Sequence, residues 1–201
     1  MQQDFDDINE RMGAHRDPLG DVVIGNMMAG YAMVDTLVAD GIDLFALGNS
    51  KLLLELNTLV LCGTSPARRA AYARHIDATE HRFYDERDGG VRGLVEWQAQ
   101  HRDEPAWTRA AGAHVLILSK PQLFIEGNHR TGALVMSYLL VREDNPPFVL
   151  TTENAPAYFD TFTALRDVDK NSPAMLFRLL GARKRLAALL REQADTSYLL
   201  D

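Results

Sequence analysis

Gln122-Leu123-Phe124-Ile125-Glu126-Gly127-Asn128-His129-Arg130-Thr131-Gly132 joins two apolar segments of helical length, and its reading decides how the rest of the chain is understood. Leu116, Leu118 and Phe124 end the first apolar segment, and Ala133-Leu134-Val135-Met136-Ser137-Tyr138-Leu139-Leu140 forms the second. Gly127 and Asn128 tolerate positive φ, so a tight turn is expected there. A turn that feeds a helix start presents unpaired N–H groups and the positive end of the dipole, which together seat an anion. Arg130 can add a bidentate contact to a phosphate, and Glu126 can hold a divalent metal that bridges phosphates. The same residues also fit an ordinary helix-connecting turn with Glu126 and Arg130 as a surface ion pair.

Working outward, helical periodicity dominates. Met27, Met28, Tyr31, Val34, Leu37 and Val38 form an apolar stripe closed by Gly41. A second helix is expected from about Asn49 through Leu52, Leu53, Leu56, Leu59 and Val60 to Gly63. A third opens at Ser65-Pro66, a cap followed by proline, and carries Tyr72, His75, Ile76, Thr79, Phe83 and Tyr84 toward the turn Asp88-Gly89-Gly90. Glu104-Pro105 begins the element that holds Trp107 and Ala110 to Ser119. The helix after the loop is expected over Thr131 to Val141, stopped by Asn145-Pro146-Pro147. Phe148 to Thr152 reads as a short strand or extended link. Asn154-Ala155-Pro156 and Ser172-Pro173 open the last two helices. Met1 to Asp21 is polar and turn-rich, and no internal repeat is present.

The loop resembles the signature of the Fic/Doc (Fido) family, His-x-Phe-x-Asp/Glu-Gly/Ala-Asn-x-Arg, with Phe124, Glu126, Gly127, Asn128 and Arg130 in register. The stretch Ala110 to Ser119 is similar to the helix that leads into that loop. The resemblance implies an all-α fold, a Fic/Doc-like helical bundle with a phosphate-binding loop between two core helices and a small β-hairpin flap before them. It divides a single domain, 1–201, into an N-terminal helical portion (1–65), a core (66–170) with the motif loop 122–132, and a C-terminal helix (171–201). It further implies ATP or another nucleotide as cofactor, held by Glu126, Gly127, Asn128, His129 and Arg130, with Mg on Glu126. The implied reaction is transfer of AMP, or of phosphate in Doc-like members, to a hydroxyl of a protein target. By position, Arg92, Gly93 and Leu94 within Val91 to Val95 are the flap candidates; the alternative is a loop or the start of the helix leading to Trp97.

Three departures bear on chemistry. The position of the family's histidine is Gln122, whose amide cannot serve as a general base near neutral pH, a role worth roughly 10² to 10⁴ in rate. His129 stands where a glycine is usual, and with Thr131 it resembles the Doc-like loop. Ala133 replaces a second arginine. The catalytic candidates are therefore Gln122, orienting an acceptor, and His129, the nearest imidazole with an ordinary pKa near about 6.5. His114 lies eight residues before Gln122 and reads as a packing histidine. The run Ser50 to Asn57 is similar to the family's inhibitory helix, displaced by one residue; Glu55 lies in an apolar helix, where a buried carboxylate needs a partner, so it is a structural or inhibitory candidate whose expected partner is Arg130. His75 and His81, six apart, fall on different helix faces and read as no metal pair.

Composition bounds the remaining classes. A chain of 201 residues with 46% hydrophobic and 24% charged residues supports one folded core. A net charge of −7 argues against a broad nucleic-acid surface. The tail around Arg178 to Arg191 reads as an amphipathic helix with a solvated basic face. The single cysteine, Cys62, excludes an intrachain disulfide and a cysteine-based zinc cluster. With no basic-then-apolar leader and no apolar run expected to approach the roughly 20 residues of a membrane span, a cytoplasmic protein without membrane partners is expected. A homo-oligomer or an antitoxin-like partner is the further expectation from the resemblance, and the alternative to a transferase is a nucleotide-binding pseudoenzyme or interaction module.

Overall fold

The computed structural model describes residues 20–85, 90–163 and 173–199. Within them the chain forms α1 (Asp21–Ala39), α2 (Ser50–Cys62), α3 (Pro66–Ala71), α4 (Ala73–Phe83), α5 (Gly90–Gln100), α6 (Ala106–Leu118), α7 (Asn128–Val141), α8 (Ala155–Thr163) and α9 (Pro173–Glu192), then a 3₁₀ turn at Thr196–Tyr198. There is no strand among the described residues. The first part of the polar N-terminal segment, with His15, and the Asp88, Gly89 and Ser172 positions lie outside them.

The helix that follows the loop, α7, is the axis of the bundle. Every residue from Leu134 to Leu140 is buried, as are Asn128, Thr131 and Gly132 near its start, so it is enclosed rather than amphipathic. Its principal partner is α6, and α1 and α2 also pack on it. Small residues make the α6 contacts close: Ala110, Ala111 and Ala113 are fully buried. A Cβ on Gly112 would stand 1.9 Å from the Trp97 ring of α5, and one on Gly132 would stand 2.5 Å from Nδ1 of His114. At the far end of α7, the buried Tyr138 hydroxyl accepts from the Leu44 amide at 3.0 Å and donates to the Ile42 carbonyl at 2.8 Å, pinning the α1–α2 connection.

Most expected elements form, with instructive shifts. In α1 the buried face is Asn26, Gly30, Val34 and Leu37, while Met28 is exposed. At 19 residues α1 is long and apolar enough to cross a membrane by length and composition, which corrects the expectation that no run approaches that size; in the bundle it packs on α2 and α7. Ser65 caps α3 by accepting from the Arg68 amide, as the Ser-Pro signal implies, but Tyr72 breaks the expected third helix into α3 and α4. The helix after the loop starts at Asn128, three residues earlier than expected.

The flap candidates require correction. Arg92, Gly93 and Leu94 lie in the first half of α5, not in a hairpin. The physical reason is their own spacing: Val91, Leu94 and Gln98 are buried on one helical face, while Arg92 pairs along the exposed face with Glu96 at 2.7 Å. Phe148 to Leu150 belongs to no helix or strand.

Candidate phosphate-binding site

The loop between α6 and α7 is built by a sequence of stops and anchors. Ser119 ends α6 in an extended conformation, its hydroxyl bonding back to the Val115 carbonyl at 2.6 Å. A cis Lys120-Pro121 bond follows. Leu123 and Phe124 then turn inward and are buried, Phe124 stacking on Phe83 of α4 with ring centroids 5.5 Å apart. Between these anchors and α7, Ile125 and Glu126 face solvent. Gly127 takes φ 77° at the N-cap of α7, a left-handed conformation that a side chain would resist, and it offers no side-chain oxygen to the helix start.

Asn128 locks the loop from within. Its Oδ1 accepts from the Phe124 amide at 2.9 Å, and its Nδ2 donates to the Phe124 carbonyl at 2.8 Å. Both arms of a single buried carboxamide thus close the five residues 124 to 128, which explains why asparagine, a short amide able to bond its own backbone, is needed there. Two other elements, α2 and α4, hold the loop from outside. Asn57 of α2, 1% exposed, donates from Nδ2 to the Glu126 carbonyl and to the Thr131 hydroxyl, both at 2.9 Å. Arg82 of α4 donates to the Gln122 carbonyl at 2.8 Å. Arg130 donates to the Val60 carbonyl at 3.2 Å, sharing that acceptor with Asn26.

The candidate residues therefore fall around one junction with distinct settings. Gln122 is half-buried with its carboxamide turned inward, Nε2 toward the Leu118 carbonyl at 3.4 Å and Oε1 accepting from Asn128 at 3.3 Å. Because α6 stops at Leu118, Gln122 and His114 do not share an unbroken helix. His129 is exposed on the first turn of α7 on the side of α8, with the rings of His114, Tyr158, Phe159 and Phe162 at 5.7 to 6.4 Å. Beneath it His114 is fully buried, its Nε2 2.7 Å from the Tyr158 hydroxyl. Burial, followed by the charge of His129, pushes its pKa down to about 3, so it is the neutral packing histidine expected.

Glu55 corrects its expectation. Its carboxylate is bound by Arg69 of α3 at 2.6 Å rather than by Arg130, and it is 40% exposed rather than buried. The cause is the sharp turn at Gly63, which brings α3 back along α2 with Arg69 also donating to the Gly63 carbonyl. Cys62 is buried, and burial raises its thiol pKa, so it is a structural thiol.

Glu126 is the acidic member of the site, 59% exposed at the loop's outer edge. One exposed carboxylate beside a helix N-terminus and a loop arginine fits a hard divalent cation that keeps water and takes its remaining ligands from phosphates. Sequence reading missed three supporting residues: Asn57, Arg82 and His75, whose Nε2 stands 3.9 Å from Glu126 Oε2. The sequence signal for His75 and Arg82 is that they share one face of α4 with Thr79 and Phe83, the face laid against the loop.

The chain is 30% identical over 121 residues to protein adenylyltransferase fic-1 of Caenorhabditis elegans, a match covering 53% of this chain and 23% of that protein. The chain thus spans less than a quarter of the length of the curated relative it matches. Its fold is similar to the crystal structure of a Fic domain containing signaling protein from Bacteroides thetaiotaomicron, with a TM-score of 0.51 and 17% identity, covering 92% of this chain and 76% of that one. No protein-family model matches the chain.

Proposed function

We propose, from the likeness of its loop to the Fic/Doc signature and of its fold to a Fic domain, that the 122–132 loop binds the phosphates of a nucleotide and that the chain is a nucleotide-dependent modifier of protein hydroxyls lacking its general base. The observation that carries the reading is the preformed junction: Gly127 at φ 77° opening α7 without a side-chain cap, and Asn128 closing the loop with both arms of its amide. A seat built this way meets an anion without reorganising, which is where binding and transition-state stabilisation gain most.

Each residue then has a share. The first turn of α7 supplies N–H groups and dipole, and Arg130, already anchored on Val60, adds a fixed positive charge. Glu126 holds the divalent cation, which when bound offsets phosphate charge. Transfer of AMP or phosphate from such a site rests on positioning and electrostatics alone, since no histidine occupies position 122.

A second reading, nucleotide binding without turnover, is favoured by one feature, the inward engagement of the Gln122 carboxamide with Leu118 and Asn128. The deciding experiment is transfer of labelled AMP from ATP to protein, with wild type and Gln122→His. The reading of an intact site predicts that Gln122→His raises transfer by roughly 10² to 10⁴. Transfer by wild type at rates equal to the histidine variant contradicts the claim that the missing base limits it.

A further inference from the structure

The pairing of His75 with Glu126 is not needed to form the loop and is not explained by it. His75 lies in the first turn of α4, two turns before the contacts that fasten this helix to the loop, Arg82 on the Gln122 carbonyl and Phe83 on Phe124. Those two contacts fix the face of α4, and so deliver the imidazole to Glu126. Its Nε2 is buried and makes no hydrogen bond, although it stands 3.9 Å from Glu126 Oε2. The ring is set by Tyr72, which meets it edge-on at 6.2 Å between centroids.

An imidazole nitrogen without a hydrogen bond beside a carboxylate oxygen is half of a coordination shell. Two ligands each about 2.0 to 2.2 Å from one metal stand about 3 Å apart. Closing from 3.9 Å takes a shift of under 1 Å, within the reach of a glutamate whose side chain is 59% exposed. Nε2 would carry the lone pair and Nδ1 the proton. Carboxylate alone suits Mg²⁺, whereas imidazole moves the preference toward Mn²⁺, Co²⁺ and Zn²⁺.

We propose that His75 and Glu126 together seat the divalent cation, making this site selective for transition-metal ions over Mg²⁺. The proposal rests on the phosphate-binding reading above and deepens it. Two protein ligands leave the other positions for phosphate oxygens and water, as a nucleotide site requires.

The test titrates Co²⁺, Mn²⁺ and Mg²⁺ into the whole chain with a non-hydrolysable ATP analogue present, comparing wild type, His75→Ala, His75→Cys and Glu126→Gln. Free Mn²⁺ is followed by its paramagnetic resonance signal, and Co²⁺ by its visible absorption. The expected result is that His75→Ala weakens Co²⁺ and Mn²⁺ at least about tenfold and leaves Mg²⁺ unchanged. His75→Cys is expected to restore Co²⁺ binding with a thiolate charge-transfer band absent from wild type. Equal Co²⁺ and Mn²⁺ affinities in wild type and His75→Ala, with Glu126→Gln weakened, overturn the role of His75 and leave the phosphate site standing. Absence of metal binding in wild type, indistinguishable from Glu126→Gln, overturns both.

Discussion

His114 shows how far a single residue can be read. Its role as a packing histidine follows from the apolar run around it, and the chain indeed buries it against Tyr158, Phe162 and Gly132. The consequence for stability has a definite sign. The native imidazole titrates at about 3, against about 6.5 when unfolded, so between those values only the unfolded chain takes up the proton. This contribution to stability is intact above pH 6.5 and lost as the pH falls toward 3, by about 1.4 kcal/mol per pH unit at its steepest. Urea unfolding across that range checks it, and His114→Gln is expected to flatten the decline. The turn at Gly127 and Asn128 was equally legible, because Asn128 closes it on Phe124, four residues away. His75 was not, because a pattern within one helix says nothing about what another element places opposite it.

At the scale of elements, α2 is the part that converts a turn into a site. Asn57 reaches both sides of Gly127, bonding the Glu126 carbonyl before it and the Thr131 hydroxyl after it. Asn57→Leu keeps the volume and removes both bonds, leaving the Glu126 carbonyl and the buried Thr131 hydroxyl short of a donor; a loss of about 1 to 3 kcal/mol in chemical denaturation is expected, together with weaker nucleotide binding. Helices with a strong apolar period and a cap or breaker at each end, α2 and α6, came through the sequence nearly to the residue. Where position in a family motif and local pattern pointed different ways, the local pattern prevailed. Val91, Leu94 and Gln98 spell a helical face, and α5 obeys it where a flap was expected. Glu55 was expected to pair with Arg130, yet Arg69 of α3 takes its carboxylate.

For the molecule as a whole, one enclosed helix organises the rest. Its buried stretch, Leu134 to Leu140, packs among α1, α2 and α6, and its N-terminus opens at the loop. An all-α bundle around such a helix was legible because the apolar run after the loop is unbroken. Which elements would surround the loop and the first turn was not, since α2 and α4 reach them from 40 or more residues away in sequence. The central claim is that this surface binds nucleotide phosphates, and calorimetric titration of ATP with Mg²⁺ and with Mn²⁺ into wild type and Arg130→Ala tests it most directly. The account predicts saturable binding by wild type and at least about tenfold weaker binding by Arg130→Ala, the loss of one charge-assisted contact. No heat of binding from wild type with ATP, GTP, AMP or CDP derivatives would contradict it.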